Sequence, residues 1–426
     1  MKPLRRVIGE LSGGPIRDRL FDLYGPALID FQADRYRKLL ESHAERFGVT
    51  EAALFSSPGR IEIGGNHTDH NLGKVLAAGV DLDTLGAATP RNDLLVRLRP
   101  EGWKPVDIDL AATEPRPGEK ETSAALIRGI AANLAGRGFA IGGFDLSVTS
   151  RVLPGSGLSS SASFEILVAS IFSGLFNNGS IPLTTLALAG QYAENEYYGK
   201  PCGLMDQMAC AHGGVVALDF RNPEDPELTR LSVNFGDMGY CLMVTDTGAG
   251  HADLSDQYAA IPEEMRKVAG LFGKKNCREI GMEELLSESA RIRGTLGDRA
   301  FLRAFHFLEE NERVEEQVRA LENGNIPEFL DLVSTSGKSS FQYLQNISVP
   351  GDPRHQSVAV ALAMSEKILE GTGASRVHGG GFAGTILAFV PMDRSEGYTE
   401  FMNRIFGKDA VMRLAVRNSP AGRVDT

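Results

Sequence analysis

The stretch Pro154-Gly155-Ser156-Gly157-Leu158-Ser159-Ser160-Ser161-Ala162 places a glycine-opened turn and three consecutive serines at the start of an apolar run that predicts a helix. Glycine lets backbone N–H groups approach an anion closely, and the helix N-terminus adds the positive end of its dipole. The serine hydroxyls can bond phosphate oxygens or a metal ion. The stretch therefore predicts a phosphate cradle with a nucleotide as ligand, although a serine-capped helix after an ordinary turn fits this segment alone equally well.

Two other segments favour the phosphate cradle. In residues 58–71 a short alternating strand carries Arg60 and runs into a dense set of hydrogen-bonding side chains, which can hold a polyol. In residues 199–207 a turn bounded by glycine and proline holds Asp206 between a helical segment and an apolar stretch. Together the three segments predict a site for a phosphate and a polyol, with a carboxylate on a rigid loop.

The composition indicates a soluble globular protein of two or three domains, since the 426 residues are 42% hydrophobic and 23% charged. A net charge of −11 argues against nucleic acid or an anionic membrane as partner, because a phosphate backbone would be repelled. Four cysteines without a Cys-x-x-Cys pair indicate free thiols in a reducing compartment. No apolar run approaches the ~18 residues of a membrane span, and no apolar core follows the basic start. We therefore expect a cytoplasmic protein.

The spacing of apolar residues predicts a chain of mixed helices and strands. Five apolar residues fall on a helical spacing that Gly48 ends, which predicts an amphipathic first helix. These residues are Phe31, Tyr36, Leu39, Leu40 and Phe47. Alternating apolar residues predict half-buried strands of a largely antiparallel or mixed sheet. The strands are expected near residues 61–63, 94–98, 106–110, 144–148, 215–220, 240–245 and 385–390.

Helices are expected between these strands, at residues 122–136, 160–176 and 183–198. A proline- and acid-rich turn at residues 221–227 then separates this half from a second half that is mostly helical. We therefore place a boundary near residue 230, with an N-terminal domain at 1–230 and a C-terminal domain at 231–426.

Four motifs resemble the signatures of the GHMP small-molecule kinases, most closely those of the galactokinases. They are Gly59-Arg60 followed by His67-Thr68-Asp69 and Asn71, the loop at 154–162, Cys202-Gly203-Leu204-Met205-Asp206-Gln207, and His378-Gly379-Gly380-Gly381-Phe382-Ala383-Gly384-Thr385. With Arg35-Tyr36 near the start, the resemblance spans nearly the whole chain. It implies a two-lobed α+β fold with the active site between the lobes. It also implies transfer of a phosphoryl group from ATP, with Mg2+, to the anomeric hydroxyl of a sugar, most closely galactose.

The resemblance also implies roles for individual residues. Asp206 matches the family's catalytic aspartate, which holds the anomeric hydroxyl and takes its proton, and Arg60 matches the arginine beside it. Ser161 and Glu194 match the ligands of the magnesium ion, with Glu196 in reserve if the register differs. The sugar-binding positions are Asn66, His67, Asp69, Gly203, Asp206 and Tyr258. The ATP-binding positions are Pro154, Gly155, Ser156, Gly157, Leu158, Ser159, Ser160, Ser161 and Ala162.

Each residue alone also allows a plainer interpretation. Asp206 can cap its turn, Arg60 can be a surface cation on a strand, Glu194 can be a solvated helix residue, and Ser159 can cap the helix that follows it. Cys202, His212 and His251 are expected to be structural.

Departures from the family pattern concern the identity of the sugar. Asn66 stands where galactokinases carry a glutamate that contacts the sugar's terminal hydroxymethyl, so we expect relaxed selectivity for that hydroxyl. His70 replaces a tyrosine, the arginine pair expected after Tyr258 is absent, and residues 354–356 stand where an acidic pair is usual. These differences keep a kinase for another sugar open, such as N-acetylgalactosamine, fucose or arabinose.

Three further alternatives remain. A purely structural or binding protein on the same fold is disfavoured because it would have no reason to keep Arg60, Glu194, Ser161 and Asp206 together. A non-catalytic sugar sensor on the same fold is disfavoured because residues 157–162 of the loop are complete. A metal site at His67, Asp69 and His70 is disfavoured because their spacing does not point the three side chains at one centre. The expected partners are the sugar and ATP, and the expected state is a monomer or weak homo-oligomer.

Overall fold

The computed structural model describes residues 1–249 and 254–426, so His251 lies outside the described residues. The strands are β1 (Lys2–Pro3), β2 (Glu51–Gly64), β3 (Lys74–Pro90), β4 (Leu95–Pro100), β5 (Val106–Asp109), β6 (Phe144–Ser150), β7 (Val215–Asp219), β8 (Glu227–Leu231), β9 (Tyr240–Asp246), β10 (Ala374–His378), β11 (Thr385–Pro391), β12 (Val411–Leu414) and β13 (Gly422–Arg423). The helices are α1 (Leu4–Ser12), α2 (Pro15–Tyr24), α3 (Ile29–Phe47), α4 (Ser123–Gly136), α5 (Ser160–Phe176), α6 (Leu183–Tyr192), α7 (Met205–His212), α8 (Ser255–Leu271), α9 (Met282–Ser287), α10 (Ser289–Leu296), α11 (Asp298–Glu322), α12 (Ile326–Ser339), α13 (Ser357–Leu369) and α14 (Ser395–Phe406). Two π-helical turns lie at Ala193–Tyr198 and Ser340–Leu344. These elements confirm the predicted α+β class.

The larger sheet has the order β1-β2-β3-β6-β4-β5, with β13 pairing with β2, and β7 and β8 continuing from β3. Strands β4 and β6 pair in parallel and the other pairs are antiparallel, so the predicted mixed sheet is confirmed. Helices α4 to α7 cover one face of this sheet with an apolar core. In the part of the chain that the structure describes, no helix combines the length and apolarity needed to cross a bilayer.

The smaller sheet is antiparallel, with the order β10-β11-β9-β12. One face shares a second core with β2 and β3, as Ile61 and Phe389 show, and with α11 and α12. The other face packs against α13 and α14. Strand β2 is therefore buried throughout residues 52–64, and the prediction of a half-buried strand near 61–63 was wrong. Periodicity did not indicate this because both faces of β2 are covered by other elements, one by helices and one by the second sheet.

The helix predicted as the first of the chain is the third, because α1 and α2 precede α3. Helix α3 ends at Gly48 as predicted, but its buried residues differ from the apolar set that predicted it. Phe31 is 55% exposed, with the Arg151 guanidinium 5.1 Å from its ring centroid, so the prediction that Phe31 faces the core was wrong. His43, by contrast, is buried and bonds the hydroxyls of Ser147 (3.1 Å) and Thr89 (3.0 Å). A polar residue with satisfied hydrogen bonds is thus part of the core.

The end of the chain returns to the larger sheet. Strand β13 pairs with β2, and Val416 bridges Val80. The buried Arg417 donates to the hydroxyl of Ser56 at 2.6 Å and lies 3.4 Å from Asp83. Residues 416–426 therefore pack with the first half of the chain, which a single boundary at residue 230 does not describe. All four cysteines are free thiols, as expected.

Candidate active site

Asp206 and Arg60 form a bidentate ion pair where α7 meets β2. The Arg60 Nε donates to Asp206 Oδ1 at 2.7 Å and Nη2 donates to Oδ2 at 2.9 Å. The Arg60 side chain is 7% exposed and that of Asp206 is 31% exposed, so the carboxylate retains an open side. Burial acts to raise the pKa of Asp206, but the charge of Arg60 and the bonds from Arg60 and Ser159 outweigh it and lower the pKa below its ordinary value.

A β-bulge aims Arg60 at this site. The pairing of β2 with β3 shifts register between Pro58 and Arg60. Before the shift Phe55 lies in the core beneath the larger sheet, and after it Ile61 lies in the core between the sheets. Residues of β2 therefore change faces at the bulge, odd-numbered and even-numbered alike, and Arg60 changes with them. Bulges commonly redirect a side chain beside an active site in this way.

The serine loop is bound to the same ion pair. Ser159 has a left-handed backbone (φ 60°), and its hydroxyl donates to Asp206 Oδ2 at 2.5 Å instead of capping α5. Arg60 donates from Nη1 to the carbonyl of Gly157, and its backbone N–H donates to that of Leu158 at 3.0 Å. The interpretation of Ser159 as a helix cap was therefore wrong.

The remaining loop residues differ in what they present. Pro154 and Gly155 are exposed, while Leu158 and Ala162 are fully buried and present only backbone groups. Ser156 is buried and its hydroxyl donates to the carbonyl of Leu153 at 2.6 Å, whereas Ser160 and Ser161 are partly exposed at the start of α5. Gly157 has φ +75°, and a Cβ there would collide with Thr385 and His378 of the last glycine-rich motif. Only glycine allows that motif to approach the loop so closely.

Glu194 and Ser161 lie together at the N-terminus of α5. Glu194 is buried on the π-helical turn that continues α6, and its Oε1 accepts a bond from Ser161 Oγ at 3.4 Å. The reserve residue Glu196 is exposed. One carboxylate and one hydroxyl fit Mg2+, which takes few protein oxygens and several from phosphates and water. Lys200 Nζ lies 3.5 Å from the same Oε1.

Asp69 lies against the turn that precedes Asp206. A Cβ at Gly203 would collide with the Asp69 carboxylate, so a side chain there would displace Asp69. Asp69 accepts bonds from the backbone N–H of His70 (3.0 Å) and of Met205 (3.4 Å). Among the described residues no three His, Cys, Asp or Glu side chains converge as a metal site, so the metal interpretation of His67, Asp69 and His70 finds no support.

His67 and Tyr258 contact the last glycine-rich motif. His67 Nε2 lies 2.9 Å from the carbonyl of Gly380, and Tyr258 Oη donates to the carbonyl of Gly381 at 3.1 Å. Burial lowers the pKa of His67 to about 3, so the ring is neutral and its Nε2–H is the donor. Both side chains therefore brace the motif over the site.

Asn66 does not face the site as predicted. It is fully buried, and its Nδ2 donates to Glu62 Oε1 and to the carbonyl of Gly379, both at 2.9 Å. Its Oδ1 accepts from Asn346 Nδ2 at 2.8 Å and from Ser340 Oγ at 3.2 Å. Both hydrogens and both lone pairs are thus in use within the protein. Asn66 therefore has no free hydrogen-bonding group with which to contact the sugar as predicted.

Comparisons with known proteins show which proteins the chain is similar to. The galactokinase galactose-binding signature matches residues 41–90, and the GHMP kinases N-terminal domain matches residues 125–214. The galactokinase of Lactococcus lactis subsp. lactis (strain IL1403) is 29% identical over 376 residues, which cover 86% of this chain and 90% of that protein. The chain is therefore similar to the galactokinases, and to the GHMP kinases in general, over most of its length. The resemblance drawn from the motifs is thereby confirmed.

Solved structures agree with this assignment. Lactococcus lactis galactokinase complexed with galactose has a TM-score of 0.78 at 26% identity, covering 91% of this chain and 99% of that chain. Methanococcus jannaschii mevalonate kinase has a TM-score of 0.58 at 16% identity, covering 86% and 98%, which shows a shared fold. The predicted two-lobed GHMP fold is confirmed, and similarity to the GHMP kinases supports ATP as the nucleotide.

Three polar residues beside the galactokinase motifs were not predicted as site residues. Gln207 follows Asp206 directly, Lys200 belongs to the same turn, and Glu165 is the charged residue of the otherwise uncharged helix α5. A lone charge in an apolar helix is a signal that sequence analysis can use, because buried charges are rare unless they have partners.

Proposed function

We propose that this chain is an ATP-dependent sugar kinase that transfers a phosphoryl group to the anomeric hydroxyl of galactose. The observation that supports it most is the contact of Asp206 with both Arg60 and Ser159. Through this contact the three motif segments, residues 58–71, 154–162 and 199–207, meet at one point. A phosphoryl transfer site needs this combination of acceptor, cation and phosphate cradle.

Asp206 receives the proton of the sugar hydroxyl in the proposed mechanism. Because its pKa is lowered, the carboxylate is ionised at neutral pH and accepts a hydrogen bond from the anomeric hydroxyl. The same low pKa makes it a weak base, so the proton moves as the bond to phosphorus forms. Arg60 keeps Asp206 ionised and offsets negative charge on the transferred group.

The nucleotide phosphates bind to residues 154–162 in this proposal, through backbone N–H groups and the N-terminus of α5. Ser161 and Glu194 would hold Mg2+, which supplies positive charge to the phosphate oxygens. Ser161 belongs to the loop and Glu194 Oε1 lies 3.4 Å from its hydroxyl, so the nucleotide and the ion would share one site.

For the sugar we propose contacts with Asp69, His67, the backbone of Gly203 and Tyr258, beside Asp206. Asn66 holds the last glycine-rich motif through Gly379 and is a positioning residue. We also propose a cytoplasmic protein that is a monomer or weak homo-oligomer, on the basis of its free thiols and net charge.

The test is a panel of sugars with ATP and Mg2+, in which ADP release is measured and the product is analysed by phosphorus NMR. The panel contains galactose, N-acetylgalactosamine, fucose and arabinose, with ATP alone as control. We expect galactose to give the highest kcat/KM and a 1-phosphate product. If no sugar in the panel raises ADP release above the ATP-only rate, the kinase proposal is refuted. A higher kcat/KM for another sugar would refute galactose as the preferred substrate.

A further inference from the structure

The Gln207 carboxamide bridges two buried carboxylates behind the phosphate loop. Its Nε2 donates to Glu165 Oε2 at 2.9 Å and to Glu194 Oε2 at 3.0 Å. Glu165 and Gln207 are fully buried and Glu194 is 4% exposed. A neutral donor thus stands between two acids that would otherwise repel each other in the interior.

The first turn of α7 carries both Asp206, which contacts Arg60, and Gln207, which contacts the two buried carboxylates. Asp206 and Gln207 are neighbours on a helix, so their side chains leave the axis about 100° apart. Asp206 meets Arg60, while Gln207 meets α5 and the π-helical turn. Helix α6 can approach because Gly190 has no side chain: a Cβ there would lie 3.1 Å from Glu165 Oε2 and 3.2 Å from Gln207 Cγ.

We propose that Gln207 is a positioning residue for the metal-binding carboxylate, and that Glu165 anchors Gln207. The bond to Glu194 Oε2 fixes the rotation of the carboxylate, so that Oε1 faces Ser161 Oγ at 3.4 Å. The inference rests on the proposed function, in which Ser161 and Glu194 hold Mg2+. Partners that orient a ligand in this way typically account for about 10–100-fold in metal affinity.

Gln207→Met tests the role of the amide, because it keeps the volume and removes the donor without adding charge. We expect the dissociation constant of Mn2+, measured by electron paramagnetic resonance with ADP present, to rise about 10–100-fold. Glu165→Leu removes the acceptor that anchors Gln207, so the Mn2+ dissociation constant should rise in this variant as well. Unchanged Mn2+ binding in Gln207→Met would overturn the proposal.

Met208→Ala separates positioning from stability. Met208 is fully buried on the same helix, within the apolar core, so its truncation leaves a cavity and lowers stability. We expect it to lower the Tm while leaving the Mn2+ dissociation constant within about twofold of the parent, since no bond to Glu194 is lost. If both variants weaken Mn2+ binding in proportion to their loss of Tm, Gln207 is merely structural.

The parent protein distinguishes this inference from the function on which it rests. Failure of the parent to phosphorylate any sugar would count against the kinase, whatever the variants do. An active parent combined with normal Mn2+ binding by Gln207→Met would count against the positioning role alone.

Discussion

The Arg60 guanidinium and the Asp206 carboxylate are joined by two parallel hydrogen bonds of 2.7 and 2.9 Å, across 146 positions of sequence. Arg60 also donates to the carbonyl of Gly157, and Ser159 donates to Asp206. The ion pair therefore holds the phosphate loop as well as the carboxylate. A substitution at Asp206 therefore changes the charge of the site and also the contacts that hold the phosphate loop.

Asp206→Asn should keep the fold and lower kcat by at least ~10²-fold, because a neutral amide is too weak a base to take the hydroxyl proton. The KM for the sugar should change much less than kcat, since the amide oxygen still accepts a hydrogen bond. Steady-state kinetics with a circular dichroism spectrum checks both statements. Turnover equal to that of the parent would remove Asp206 from the chemistry.

Asn66→Glu is expected to destabilise the protein instead of sharpening selectivity for the sugar's terminal hydroxyl. The new carboxylate would lie beside Glu62, whose Oε1 is 2.9 Å from Asn66 Nδ2, in a fully buried position. The double variant Glu62→Asn/Asn66→Glu keeps one acid and one amide in contact and should recover part of the lost stability.

Chemical denaturation of both variants gives the free energies, and kcat/KM for galactose and 6-deoxygalactose gives the selectivity. If Asn66→Glu is as stable as the parent and prefers galactose over 6-deoxygalactose more strongly, residue 66 contacts the sugar after all.

Local signals predicted the elements that carry the motifs. Helix α5 spans Ser160–Phe176 as expected, because a glycine turn and an apolar run are both visible in sequence. The bulge before Arg60 leaves no such signal, since it arises from the pairing of β2 with β3. The family resemblance, not the periodicity, led to the two-lobed arrangement.

Long-range hydrogen bonds account for the site residues that were interpreted wrongly. Asn66 bonds Ser340 and Asn346, which are 274 and 280 positions away, and no spacing rule predicts such partners. Ser159 has the residue type of a helix cap, but its contact with Asp206 prevails over the local preference. A motif thus indicates which residues are near the site, but not which of them bond one another.

Glu62 should make stability depend on pH between about 5 and 7. Burial raises its pKa from 4.5 to about 7, although Arg376 and Arg60 act to lower it. The folded protein therefore keeps a proton that the unfolded chain releases, and stability from the protonated form is lost as pH rises through 7. Relative to the free energy of unfolding of Glu62→Gln, which cannot titrate, that of the parent should fall from pH 5 to 7. Above pH 7 the two curves should run parallel. A constant difference between the two unfolding free energies across this range would contradict the prediction.

Asp83→Asn should cost about 3–5 kcal/mol of unfolding free energy, because it leaves buried cations unpaired. Asp83 is fully buried and accepts bonds from Arg35 and Ser56, each at 2.5 Å, while Arg417 lies at 3.4 Å. Asp93→Asn is the control, since that side chain is 50% exposed and should cost about 1 kcal/mol or less. Urea denaturation of the three proteins measures the difference. Equal losses in the two variants would show that this cluster does not hold the end of the chain to β2 and α3.

Lys200→Met should lower the Mg2+ concentration that gives half the maximal rate. The Lys200 ammonium lies 3.5 Å from Glu194 Oε1 and competes with a metal ion for that oxygen. Because the Lys200 side chain is 64% exposed, water screens the pair, so the gain is limited to about 1 kcal/mol, or roughly fivefold. Lys120→Met is the matched control, since Lys120 lies beside the same turn at Gly199 and, among the described residues, forms no ion pair with Glu194. A raised Mg2+ requirement in Lys200→Met alone would contradict competition and indicate that Lys200 contacts the nucleotide phosphates.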